Sequence, residues 1–102
     1  MQSNSTAQLS ALSQACSSLW LATLSLMTAF MQQRAPAHRY LLAMRIARNF
    51  GTLRAQPECF DKATIAKFTA LEERWQLKAQ RLSPAQEAPD GMLGRLQRLI
   101  AR

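Results

Sequence analysis

With 102 residues the chain has room for one domain with a real core, and its Gly and Pro are too few for a disordered chain. Its two cysteines are too few for a disulfide framework, which excludes the cysteine-stapled class of small secreted domain. A net charge of +7 favours anionic partners, and it comes from two short stretches, residues 34–54 with five arginines and no acid and residues 91–102 with three arginines.

Residues 1–33 carry no charged side chain. A helix is expected over 7–33, with Ser5 or Thr6 as its N-cap. Leu9, Leu12, Cys16, Leu19, Thr23, Leu26 and Phe30 recur in alternating steps of three and four and share one apolar stripe. The reverse face carries Ala15, Ser18, Ala22, Ser25 and Ala29, a ladder of small residues that lets another helix approach closely. A charge-free helix must hide more than one face from water, so this ladder is the expected face of a two-fold homodimer. No basic residue precedes the apolar stretch, against the pattern of a secretory signal. Residues 19–31 are apolar over fewer than the ~20 residues that cross a bilayer, so a membrane location is not expected and a cytoplasmic one is.

A second helix opens at Ala35-Pro36, where proline suits the first turn, and must stop before Pro57, or earlier at Gly51 as a C-cap. Leu42, Ala43, Ile46, Phe50 and Leu53 form its apolar face, with Leu41, Met44, Arg45, Arg48 and Thr52 opposite. Asp61 is a strong N-cap for a third helix, and Phe60 and Ile65 stand at the two positions of a hydrophobic staple. The core stripe of that helix is Ile65, Phe68, Leu71, Trp75, Ala79 and Leu82, and Ser83-Pro84 ends it. Residues 84–91 read as a linker. Residues 92–102 read as a short amphipathic helix in which Leu96 and Leu99 alternate with Arg95, Arg98 and Arg102.

No stretch alternates with period two, and the chain has no valine. The expected fold is all-α: a three-helix antiparallel bundle over 1–83 with a shorter, basic fourth helix at the C-terminus. Antiparallel levels predict that Arg39 pairs with Glu72 or lies over the Trp75 ring. They also bring Cys16 and Cys59 to the same end, both free and Cys16 buried.

Catalytic constellations are not evident. His38 is the single histidine, Glu72 and Glu73 diverge by about 100° on their helix, and no nucleotide-binding or nucleophile-elbow motif occurs. No metal site, cofactor or enzyme activity is expected. The arginine-rich side of helix 2 is the first candidate surface. Arg34, Arg45 and Arg48 share a sector, and guanidinium forks suit phosphate. Leu41 and Met44 beside them give an apolar centre with an arginine rim, as at a protein interface. The tail residues Arg95, Leu96, Arg98, Leu99 and Arg102 form a second candidate, which fits the fourth helix of the bundle, a detachable peptide for a partner's groove or a membrane-surface anchor. The segment 38–50 (HRYLLAMRIARNF) resembles the LYR-type motif of small basic helical proteins that assist mitochondrial assembly, without the Leu-Tyr-Arg order at its head, and no function is carried across. The expected function is a non-enzymatic protein-interaction module acting as adaptor, inhibitor or assembly subunit. Non-specific binding of a nucleic-acid backbone is the alternative.

Overall fold

The stripe, the proline breaks and the Asp61 cap translate into three helices in a computed structural model that describes residues 2–84: α1 (Gln2–Gln32), α2 (Pro36–Arg54) and α3 (Lys62–Leu82). No strand occurs among the described residues. The linker and tail helix expected over 84–102, with Arg95, Leu96, Arg98, Leu99 and Arg102, lie outside them from residue 85 onward.

The first helix starts earlier than the Ser5/Thr6 cap implied. Nothing between Gln2 and Ala7 is Gly or Pro, so no residue there breaks the helix, and the hydroxyl residues are absorbed into it. At the other end, the Gln33 N–H still reaches the Ala29 carbonyl at 2.9 Å. The Gln33 side chain then folds over the connector, its Oε1 accepting from the Arg34 and Ala35 N–H groups at 3.1 and 3.2 Å. Ala35 offers no side-chain cap to α2, so the glutamine orders the connector while the first N–H groups of α2 go without a side-chain cap.

Gly51 does not cap α2. The helix passes through it to Arg54 and no glycine among the described residues has positive φ. Packing decides this, because Leu53, fully buried, continues the core face of Ile46 and Phe50 by about one further turn. For α3, the Asp61 cap is as expected, its Oδ1 accepting from the Thr64 N–H at 2.8 Å.

The three helices run up, down and up. Trp20 of α1 meets Phe50 of α2 (5.8 Å between ring centroids) and Phe68 of α3 (5.3 Å). Phe60, in the α2–α3 turn, sits edge-on to Phe68 at 4.9 Å. Nearer the α1–α2 turn, Phe30 meets Trp75 edge-on at 4.9 Å. These pairs make α2 antiparallel to both neighbours and α1 parallel to α3. Offset and edge-to-face rings of this kind add to the area they bury.

The core is Phe30, Ala43, Ile46, Ala47, Phe50, Leu53, Phe68, Trp75 and Ala79, with Cys16 and Thr23 also buried. Thr23 Oγ1 donates to the Leu19 carbonyl at 2.7 Å, which makes its burial tolerable. By rise per residue α1 is ~46 Å long against ~30 Å for its neighbours. Leu9, on the predicted stripe, is accordingly 56% exposed where α1 outruns the bundle.

One expected contact is corrected. Arg39 neither pairs with Glu72 nor covers Trp75: its guanidinium lies over the Phe30 ring, 4.3 Å from the centroid. Glu72 belongs to Arg54, whose Nε is 2.6 Å from Glu72 Oε1. The sequence-based levels placed Arg39 too near the start of α3, because α2 continues past Gly51 and the turn follows only at Ala55, so the first turns of α2 lie level with the last turns of α3.

Candidate functional groove

Because α1 and α2 are joined by a short connector, the last turns of α1 lie beside the first turns of α2. Large apolar residues occupy the contact line, and the small residue Ala29 stands next to it. An open groove of about 640 Å³ results, lined by Ala29 and Gln33 of α1 and by His38, Leu41, Leu42, Met44, Arg45 and Arg48 of α2. Its floor is apolar, its rim carries two guanidinium groups, and among the described residues no acid lines it.

This groove joins two surfaces that were separate in the sequence. Leu41, Met44, Arg45 and Arg48 of the arginine-rich side lie on it, and so does Ala29, the last rung of the small-residue ladder. Ala15, Ser18, Ala22 and Ser25, the other rungs, are exposed on α1. Arg34 is exposed on the connector but does not line the groove. His38, Leu42 and Gln33 also line it and were not assigned to this surface from the sequence, Leu42 having been read as part of the core face. Their signal was the Pro36 break itself, since a helical hairpin turning there must bring residues just before and after it together.

Leu41 is 56% exposed and Met44 36%. The face expected to lie opposite the core does so, and it presents apolar area to solvent. Met44 and Arg48 also line a second groove of about 520 Å³, on the α3 side with Tyr40 and Gln76. The Leu41–Arg48 ridge therefore stands between two clefts. Neither Arg45 nor Arg48 takes part in an ion pair among the described residues. Glu72, which lines the second groove with Met44 and Arg48, is held by Arg54.

The remaining exposed apolar residues concentrate on α1, where Leu21 is 63% exposed, Leu24 40% and Met31 79%. The uninterrupted helix changes the membrane argument made from residues 19–31 alone. Thr6–Gln32 is long and apolar enough to cross a membrane by length and composition, although a soluble core helix passes the same test. Its side chains Trp20, Thr23 and Phe30 are engaged with the bundle.

Among the described residues the titratable side chains are dispersed over the three helices and the α2–α3 turn. Among the described residues no three His, Cys, Asp or Glu side chains are grouped to hold a metal ion. His38 is exposed at the groove mouth, and Glu73 points away from the bound Glu72 to solvent. Outside the groove, the Cys16 thiol donates to Cys59 Sγ at 3.0 Å, so the expected neighbourhood of the two free thiols holds and Cys16 is buried. In comparison with known proteins, no family model, curated protein or solved structure matches the chain.

Proposed function

We propose that the protein is a non-enzymatic helical interaction module, an adaptor, inhibitor or assembly subunit that works in the cytoplasm and docks an apolar helix with acidic flanks. The observation that carries this is the α1–α2 groove: apolar floor, Arg45 and Arg48 on the rim, no acid among the described lining residues. An apolar helix stripe would bury Leu41 and Met44, and carboxylates at its edges would meet the guanidinium forks. Interfaces of this type draw affinity from a desolvated apolar centre and orientation from the charged rim.

The test is affinity capture from native host extract with the wild-type chain, Leu41→Asp and the pair Arg45→Glu/Arg48→Glu. A protein partner retained by the wild type and lost with Leu41→Asp supports the module. Retention by all three sinks the groove as its site.

A nucleic-acid backbone is the second reading, favoured by the absence of carboxylate partners for Arg45 and Arg48 among the described residues. Phosphate binding of that kind weakens steeply as salt rises. In a gel shift, it should be abolished by Arg45→Glu/Arg48→Glu and survive Leu41→Asp, the reverse emphasis from a protein groove.

A further inference from the structure

We propose that Cys16 and Cys59 form a reversible disulfide, closed by exchange with a low-molecular-weight disulfide, that clips α1 to the α2–α3 turn. The two Sγ atoms are already 3.0 Å apart, although 43 residues separate them in the chain. A disulfide bond is ~2.05 Å long, so closure requires about 1 Å of approach. Cys59 lies in the turn after α2, where non-helical backbone at residues 55–60 can supply that movement.

The two thiols are unequal, which sets the order of events. Cys59 is half-buried and Cys16 is 5% exposed. Burial first, then the hydrogen bond to Cys59 and the charges of Cys59 and Glu58, push the Cys16 thiol up to about 11. Cys59 is therefore the entry point. Its thiolate attacks one sulfur of the small disulfide, the S–S bond of that molecule breaks, and one thiolate leaves. Cys16 then loses its proton to solvent base and attacks Cys59 Sγ, displacing the second small thiolate. Both protein thiols are oxidised to a disulfide, and the small disulfide is reduced to two thiols.

Position gives the bond its consequence. From Thr6 to Ala15 every α1 residue except the half-buried Leu12 is exposed, so counting from Thr6 Cys16 is the first buried residue as α1 enters the bundle. A covalent clip at that point holds the N-terminal half of α1 against the turn. Its reduction leaves that half to peel away.

The experiment incubates the full chain with oxidised or reduced glutathione at neutral pH and reads intact mass, a non-reducing gel and amide hydrogen exchange. The oxidised wild type should lose the mass of two hydrogen atoms and stay monomeric in covalent terms. Exchange over residues 13–20 should slow roughly tenfold or more, and reductant should reverse both effects. Cys16→Ala should retain one glutathione on Cys59, whereas Cys59→Ser should take up none. A stable glutathione adduct on the wild type, a covalent dimer, or a closed disulfide without added protection of α1 would each overturn the proposal.

Discussion

The Arg39 guanidinium lies over the Phe30 ring at 4.3 Å, and Phe30 in turn presents itself edge-on to Trp75, so one residue from each helix builds a stack beside the α1–α2 connector. The Arg39 Nε is buried there without a hydrogen-bond partner. A cation over an aromatic face contributes about 0.5–2 kcal/mol depending on desolvation, whereas an unsatisfied buried donor costs ~1–3 kcal/mol. The two nearly cancel, and the aliphatic stem of the side chain keeps its packing value. Arg39→Met should therefore remain within ~1 kcal/mol of the wild type in urea unfolding, and Arg39→Ala should lose about 1–2 kcal/mol. Equal stability of the alanine variant and the wild type would show that the stack contributes nothing.

Gly51 gives a second case of opposing effects. A Cβ there would collide with the Glu72 carboxylate, which Arg54 holds. Alanine in place of a mid-helix glycine gains ~0.8–1 kcal/mol of helix propensity. Displacing Glu72 gives back part of that, less than ~1 kcal/mol because Arg54 is 45% exposed and the pair is screened by solvent. The expected result is a small effect of Gly51→Ala alone and a gain near the full propensity value in a Glu72→Ala background. A double-mutant cycle with no coupling between the two positions would reject the collision.

Asp61 links the start of α3 to pH. Its hydrogen bonds with Thr64 hold its carboxyl below the usual carboxylate range. A carboxyl depressed in the folded state adds stability above its unfolded pKa of about 4, and that stability is lost as pH falls through the lower folded value. Asp61→Asn keeps an acceptor for the Thr64 N–H and should flatten this acid dependence while retaining most of the stability at pH 7. Asp61→Ala should lower thermal stability at pH 7 as well. Thermal melts from pH 2 to pH 7 separate the two variants, and an unchanged acid profile in Asp61→Asn counts against the assignment.

The open side of α1 leads to a prediction about assembly. Ala15, Ser18, Ala22 and Ser25 are exposed, and Leu21 beside them is 63% exposed. We propose that a second copy covers this face, the small residues allowing the two helices to approach closely. Light scattering at micromolar concentration should give the mass of two chains for the wild type and of one chain for Ala22→Glu, with helicity unchanged. A one-chain mass for the wild type leaves the ladder as a solvated surface.

The helix limits and faces were legible because their causes are local. Pro36 breaks the chain between α1 and α2, and Asp61 caps α3 through an N–H three residues on. The period of 3.6 residues per turn assigns Leu41, Met44, Arg45 and Arg48 to the side away from Ile46 and Phe50, and they are exposed as that period requires. The α1 start was misread for an equally local reason, since Ser5 and Thr6 suit a cap but are also tolerated inside a helix.

Register was a different matter. Whether Arg39 meets Glu72 or Phe30, and whether Cys16 stops at the same level as Cys59 or touches it, depends on where α2 ends and how the turn at residues 55–60 is built. The groove is also a product of that arrangement, because Ala29 and Leu41 come together only once the hairpin has closed on its aromatic core. Periodicity is written into each helix by its own backbone hydrogen bonds, so the sequence determined which residues share a face. The level at which two faces meet is set by side chains interdigitating across helices, a non-local packing choice that only the tertiary structure decided.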